Sequence, residues 1–198
     1  MANVFGMLQK YNKRFIFASS QMSNMSHSPY GVMKRVGELY TTALNGLIVK
    51  FWNVYGIEKD RDKAHVITDF IRKGFEEGEF EMMTDGTEER QFLYAEDCCE
   101  GLETVMENYT DFKSEDPLHI TSFRSTSIKD IAHIIQGCFN RIDKYDVKIT
   151  PGFAKDPVQL DKRNEANTFI TGWWLPKTGI DNGIAKVFDE MKKEYIEE

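Results

Sequence analysis

Two residues that could transfer protons, Tyr30 and Lys34, stand four positions apart in a segment with helical periodicity. Side chains at that spacing share one face of a helix. An ammonium group beside a phenol favours the phenolate form, and a phenolate can act as a general base. The pattern Tyr-x-x-x-Lys is weak evidence by itself, because a surface lysine beside a packed tyrosine gives the same spacing.

The elements around this pair strengthen the interpretation. Ser28-Pro29 is typical of a helix start, with Ser28 as the N-cap and Pro29 in the first turn. The apolar run before it, Arg14–Ala18, predicts a buried strand that ends at Ser19-Ser20. Open α/β sheets bind ligands at the carboxyl ends of their strands, so we expect the Ser20 hydroxyl to lie near a bound ligand.

Strands and helices alternate through the first half of the chain, which favours a parallel sheet covered by helices. Shorter, mixed elements follow in the second half. We therefore predict an α/β protein with a truncated Rossmann-like parallel sheet and a small mixed α/β substrate-binding lobe. The predicted division assigns residues 1–57 to the sheet and 58–198 mostly to the lobe, with residues 92–123 returning to the sheet.

Composition excludes several classes of protein. The 198 residues carry a formal net charge of −7 without a basic stripe, which argues against nucleic acid as a partner. The apolar runs are too short to span a membrane, and the first residues do not resemble a signal peptide. Three cysteines without CxxC spacing indicate reduced thiols and a cytoplasmic protein. The histidines and cysteines show no metal-ligand spacing, so no metal site is predicted.

Further motifs give the chain a family resemblance. In order, they are Ser19-Ser20, Pro29-Tyr30-Gly31-x-x-Lys34, Asn53-Val54-Tyr55-Gly56, Asp85-Gly86-x-x-x-Arg90-Gln91-Phe92, Tyr94-Ala95-Glu96-Asp97, Ser127-Ile128-Lys129-Asp130-Ile131 and Gly172-Trp173…Pro176-Lys177. This series resembles the extended short-chain dehydrogenase/reductases, specifically the NAD-dependent nucleotide-sugar epimerases and dehydratases. The matches are spread over nearly the whole chain, which makes the resemblance specific.

The resemblance implies a role for each matching residue. Tyr30 is expected to exchange a proton with a sugar hydroxyl, with Ser20 hydrogen-bonded to the reacting oxygen. Lys34 is expected to promote the phenolate and, with Tyr30 and Asn53, to contact the cofactor. Asn53 is also expected to contact the nucleotide sugar, and Arg90 its diphosphate, for which the planar guanidinium is suited. The implied ligands are NAD or NADP and a UDP-, GDP- or dTDP-hexose.

Other positions are less specific. Arg163 is a second phosphate candidate, although an ordinary surface arginine explains it equally well. His65 resembles the acid of the 3,5-epimerase/reductases, but their cysteine falls at Met22 here, and a packed or surface histidine is the simpler interpretation. Gln21 and Met22 stand where the 4,6-dehydratases of the family have acidic residues. Neither side chain exchanges protons, so a 4-epimerase is the simplest implied activity.

One family feature is missing from this sequence: no G-x-x-G-x-x-G turn for a dinucleotide pyrophosphate is present. A complete cofactor site in this chain is therefore doubtful, and two hypotheses stay open. The first is a nucleotide-sugar epimerase/dehydratase-type enzyme, incomplete alone; the second is a non-catalytic nucleotide-sugar-binding module or a subunit of a split enzyme. Without the family's preceding strands, a sheet edge is left open, which predicts a homodimer or a complementary chain.

Overall fold

The computed structural model of the chain describes residues 2–25, 28–58, 60, 64–142, 145–156 and 164–196. The helices are α1 Ala2–Tyr11, α2 Pro29–Ala43, α3 Val66–Glu77, α4 Ala95–Glu107, α5 Ile128–Phe139 and α6 Ile180–Ile196. The strands are β1 Ile16–Ser20, β2 Leu47–Phe51, β3 Asn53–Tyr55, β4 Glu79–Glu81, β5 Glu89–Tyr94, β6 Leu118–Ile120, β7 Ser125–Ser127 and β8 Lys148–Thr150. Short 3-10 helices span Gln21–Asn24, Tyr109–Asp111 and Phe169–Gly172.

Contacts divide the chain into two compact units. Unit 1 comprises residues 1–52, 96–123 and 160–176, and unit 2 comprises residues 53–95, 124–159 and 177–198. The sequence-based division placed its boundary at residue 57, with residues 92–123 returning to the sheet. In the structure the boundary follows Trp52, and a second returning segment, residues 160–176, groups with unit 1.

Unit 1 contains a parallel sheet of three strands in the order β1-β2-β6. The register places Ser19 beside Lys50 and Lys50 beside His119, so three polar side chains cross the sheet in one row. Helix α2 packs on the face of β1 that carries Phe17, because Gly37 has no Cβ to collide with the Phe17 ring. The Ser28 side chain caps α2 by accepting a hydrogen bond from the Gly31 amide at 3.1 Å, which confirms the predicted helix start.

Unit 2 is built around an apolar cluster. Strands β3 and β5 are parallel, β7 is antiparallel to β5, and β4 pairs with β8 in a separate two-stranded sheet. Helices α3, α5 and α6 pack together around aromatic and aliphatic side chains that include Phe70, Phe139 and Phe188. The largely apolar sequence Leu47–Val54 predicts one strand, which is wrong in one respect: the segment contributes to two strands, because the chain leaves the first sheet at Trp52.

Within the described residues, no helix is both long enough and apolar enough to cross a bilayer.

Candidate functional site

Ser20 stands at the carboxyl end of β1, as the sequence predicts. It caps the short 3-10 helix that follows, where its Oγ accepts a hydrogen bond from the Met22 amide at 3.2 Å. The oxygen is therefore held in place by the backbone. Its own proton has no acceptor among the residues that the structure describes, so the Ser20 hydroxyl can still donate to a ligand.

Tyr30 and Lys34 share one face of the first turns of α2. The Lys34 ammonium lies 5.5 Å from the centre of the Tyr30 ring and 5.5 Å from that of Phe17. It also donates a 2.7 Å hydrogen bond to the Ala18 carbonyl of β1, which fixes the lysine beside the strand that ends in Ser20. Tyr30 is 55% exposed, so the residue is accessible to a ligand.

Gly31 brings the start of α2 against the segment that follows Ser20. A Cβ at this position would lie 2.4 Å from the Met22 carbonyl oxygen and 2.9 Å from that of Met25. Only glycine permits this backbone-to-backbone approach. The residue next to Tyr30 is therefore packed directly on the 3-10 helix that Ser20 caps.

A buried ion pair, Glu38 with Lys50, underlies this arrangement, and sequence reasoning missed it. Glu38 is 1% exposed and accepts hydrogen bonds of 2.5 Å from both Ser19 and Ser23, the residues on either side of the Ser20 turn. The Lys50 ammonium lies 3.3 Å from the same carboxylate and donates a 2.6 Å hydrogen bond to Asn24. A lysine inside the apolar strand Leu47–Phe51 was the available signal.

The electrostatics of this pair follow from its burial. Desolvation by itself would raise the pKa of Glu38, but the hydrogen bonds from Ser19, Ser23 and Arg35 and the charge of Lys50 outweigh it, so the pKa is lowered. Desolvation also lowers the pKa of the Lys50 ammonium, against the attraction of Glu38. The surroundings thus stabilise the charged form of Glu38 but not that of Lys50.

His119 continues the polar row on β6. Its Nδ1 accepts a 3.3 Å hydrogen bond from the Trp52 indole nitrogen, so the ring proton of the neutral form is on Nε2. Burial, together with the nearby charge of Lys50, lowers the pKa of His119 to about 4. The imidazole is therefore neutral at physiological pH.

The two other residues to which the resemblance gives a role, Asn53 and Arg90, lie in unit 2. Asn53 is in β3, where its side-chain amide donates to the Gln91 carbonyl at 3.1 Å. Arg90 is in β5; its guanidinium forms an ion pair with Asp156 and donates to the Glu89 carbonyl at 3.0 Å. The Arg90 guanidinium is therefore paired with a carboxylate.

His65 caps α3 through its backbone position, and its exposed ring contacts Glu58. The Glu58 carboxylate also accepts hydrogen bonds from the His65 amide at 2.7 Å and from the Thr68 hydroxyl. Burial would raise the pKa of Glu58, but these hydrogen bonds and the His65 ring lower it. The contacts are those of a helix start, and a catalytic role of His65 stays a prediction.

Arg163 lies outside the described residues. Its neighbour Asn164 donates a 3.0 Å hydrogen bond to Gln21, directly after Ser20. Among the described residues, no group of three or more His, Cys, Asp or Glu side chains could hold a metal ion.

A family model described as "NAD dependent epimerase/dehydratase family" matches residues 1–120. Among curated relatives, the chain is 28% identical to a GDP-L-fucose synthase of Sinorhizobium fredii over 146 residues, covering 70% of this chain and 44% of the relative. It is 26% identical to a putative UDP-glucose 4-epimerase of Methanocaldococcus jannaschii, covering 96% of this chain and 67% of the relative. The chain thus spans less than half of the first relative and about two thirds of the second.

Solved structures show the same fold. The epimerase Mth375 of Methanothermobacter thermautotrophicus superposes with a TM-score of 0.79 at 19% identity, over 98% of this chain and 64% of the other. A UDP-N-acetylglucosamine 4-epimerase of Methanobrevibacter ruminantium gives a TM-score of 0.77 at 20% identity, over 98% and 67%. These matches confirm the predicted α/β class and its Rossmann-like sheet. With the family model covering more than half of the sequence, the chain belongs to the NAD-dependent epimerase/dehydratase family.

Proposed function

We propose that this chain carries the proton-transferring part of a nucleotide-sugar epimerase, most simply a 4-epimerase. The observation that supports the proposal best is the position of the Lys34 ammonium. It lies beside the Tyr30 ring and is hydrogen-bonded to β1, the strand that ends in Ser20. A base, its activating cation and a hydroxyl donor therefore belong to one compact unit.

Each residue has a defined task in the proposed reaction. The Tyr30 oxygen accepts the proton of the sugar hydroxyl as the carbon that bears it becomes a ketone. Lys34 stabilises the phenolate, and the Ser20 hydroxyl donates a hydrogen bond to the reacting oxygen. After the keto-sugar has turned its other face to the site, Tyr30 returns the proton. A bound NAD would supply the acceptor and donor for the hydride of that carbon.

The residues present fit one end of the dinucleotide. The hydroxyl of the exposed residue Tyr30 and the Lys34 ammonium suit the hydroxyl groups of the nicotinamide ribose. The sequence has no glycine-rich turn for the pyrophosphate. We therefore propose that the chain holds NAD or NADP through these contacts together with groups outside this sequence.

In unit 2, we assign Arg90 to the diphosphate and Asn53 to the nucleotide sugar. Asp156 forms an ion pair with Arg90, so its carboxylate competes with a bound diphosphate for the guanidinium. Replacing Asp156 by Asn removes that competing charge and should strengthen nucleotide-sugar binding several-fold, measured by calorimetry. Arg90→Gln should weaken it by about tenfold or more, the loss expected for charge-assisted hydrogen bonds. Equal affinity in all three proteins would contradict the assignment.

The catalytic proposal is tested with NAD and UDP-, GDP- or dTDP-hexoses, by following nicotinamide reduction and sugar interconversion. Tyr30→Phe should reduce turnover by about 10²-fold or more, the usual contribution of general acid-base catalysis. Tyr40→Phe is the matched control, because Tyr40 is a similarly exposed tyrosine on the same helix that stacks on Phe5. Equal loss in both variants, or in neither, would refute the role of Tyr30.

The missing glycine-rich turn also favours a second function, that of a non-catalytic nucleotide-sugar-binding module or a subunit of a split enzyme. Calorimetry separates the two. Nucleotide-sugar binding that depends on Arg90, with no NAD binding and no turnover, would support the module.

We further propose that the partner is a second copy of the chain. Helices α1 and α2 expose large apolar side chains, among them Val4, Met7, Val32, Leu39 and Tyr40. Soluble proteins rarely leave such groups uncovered on neighbouring helices. Leu39→Glu should shift the chain toward monomer in sedimentation velocity experiments. A monomeric parent chain at micromolar concentration would contradict the proposal and leave a complementary chain as the alternative.

A further inference from the structure

Unit 1 contains a polar cavity of about 450 Å³. Its wall includes Asn24 after the 3-10 helix, Arg35 of α2, Lys50 of β2, His119 of β6, and the later residues Glu165 and Asn167. Ser20, Tyr30 and Lys34 do not line it. Lys34 is bonded to β1, whereas the strands that contribute to the cavity wall are β2 and β6.

One part of the wall presents N–H donors. Asn24 uses its side-chain oxygen to accept from Lys50, so its NH₂ group is left to donate. His119 is 4% exposed and uses Nδ1 to accept from Trp52, which leaves the Nε2 proton without a partner among the described residues. One guanidinium nitrogen of Arg35 forms an ion pair with Glu38 at 2.9 Å, and 57% of the Arg35 side chain is exposed. These donors suit a carboxylate.

The cavity wall carries both positive and negative charges, and they lie at different places. Glu38 is closed off from a ligand, because Ser19, Ser23, Arg35 and Lys50 all surround its carboxylate. The two cations then exceed this anion by one charge. Glu165, an exposed carboxylate on the same cavity, forms no ion pair with Arg35 or Lys50 among the described residues. A cationic part of the wall and a separate anionic residue therefore line one space.

We propose that this cavity binds a small zwitterion, an amino acid whose carboxylate contacts Arg35, Lys50 and His119 and whose ammonium contacts Glu165. A simple anion is less suitable, because Glu165 would repel it. A simple amine would be repelled by the Arg35 and Lys50 cations and would make no use of the N–H donors of the wall. The site is independent of the proposed epimerase activity.

The test is a titration of the full chain with amino acids of increasing length, from glycine through β-alanine and 4-aminobutyrate to 6-aminohexanoate, followed by NMR and calorimetry. One length should bind best and should shift the ring resonances of His119. The carboxylic acid and the amine of matching length should each bind about tenfold more weakly or worse, since each loses one charge-assisted contact. Equal binding of the amino acid and its carboxylic acid, or no saturable binding by any of them, would overturn the proposal.

Two variants at exposed positions locate the site. Glu165→Gln should reduce the affinity for the best amino acid to that of the matching carboxylic acid. Arg35→Gln should reduce it to that of the matching amine. Glu103→Gln and Arg14→Gln, at exposed positions that do not line the cavity, are the matched controls. Affinity unchanged by Glu165→Gln and Arg35→Gln, in chains whose spectra show an intact fold, would show that binding occurs elsewhere.

Discussion

The two units have different interiors. Unit 2 is held by a continuous apolar cluster in which Phe139 contacts Phe75, Tyr145 and Phe188 at ring-centre distances of 4.7–5.8 Å. In unit 1, the middle strand of the sheet instead carries Lys50, which forms a buried ion pair with Glu38 of α2. Apolar contacts are non-directional, whereas hydrogen bonds fix positions and angles. The difference indicates that unit 2 is organised for packing and unit 1 for the placement of the segment around Ser20.

The largest expected effect is in the apolar interior. Phe139→Ala removes a fully buried ring and should lower the free energy of unfolding of unit 2 by about 3 to 5 kcal/mol. Phe153→Ala is the control, because that ring is 96% exposed, and its effect should stay within about 0.5 kcal/mol. Urea denaturation measures both. Similar losses would mean that unit 2 does not depend on this cluster.

The second-largest effect is expected at the buried ion pair of unit 1. Glu38→Gln leaves the Lys50 ammonium buried without its counter-charge and should cost about 3 kcal/mol, within the range for a broken buried pair. The double variant with Lys50→Met should recover most of that stability, because no unpaired charge remains. If the double variant is no more stable than Glu38→Gln, the loss does not come from the stranded charge. Glu103→Gln is the exposed control.

The pH dependence of folding stability should distinguish the two units further. The pKa of His119 is lowered to about 4, so between its unfolded value and pH 4 the unfolded chain binds a proton that the folded unit 1 does not. Stability therefore falls as pH falls, by about 2 kcal/mol between pH 7.5 and pH 5.

The lowered pKa of Glu38 adds a further loss of folding stability as the pH falls below the ordinary pKa of a carboxyl group, because the unfolded chain then binds a proton that the folded carboxylate does not. His119→Gln should flatten the change above pH 5, whereas His133→Gln, at an exposed position, should not. Trp52 fluorescence, next to His119, can report the transition. A pH profile unchanged by His119→Gln would remove this histidine as the cause.

The smallest effect concerns an ion pair on the surface of unit 2. Lys73 lies 2.8 Å from Asp69, one turn away on α3, with both side chains partly exposed. Lys73→Gln should cost less than about 0.5 kcal/mol, because water screens such pairs. A loss comparable to that of Glu38→Gln would erase the proposed contrast between the units.

Local features predicted part of this structure. The Ser28-Pro29 start of α2, the strand before Ser20 and the spacing of Tyr30 and Lys34 follow from capping rules and periodicity. The break at Trp52 does not, since a mostly apolar run gives no sign that its two halves join different sheets. The Glu38–Lys50 pair depends on strand register and helix packing together, and the sequence offers only the isolated lysine in β2 as a hint.

The hydrogen bond from Lys34 to the Ala18 carbonyl has a second consequence. The Phe15 carbonyl accepts a hydrogen bond from the first residue of β2. Because successive carbonyls along a strand point to alternate sides, the Ala18 carbonyl points away from β2. On that side the sheet order places no strand among the described residues. Lys34 thus occupies an acceptor that an incoming strand would need. Loss of this one amine, as in Lys34→Met, would cancel the charge beside Tyr30 and, at the same time, leave that acceptor open to a pairing strand.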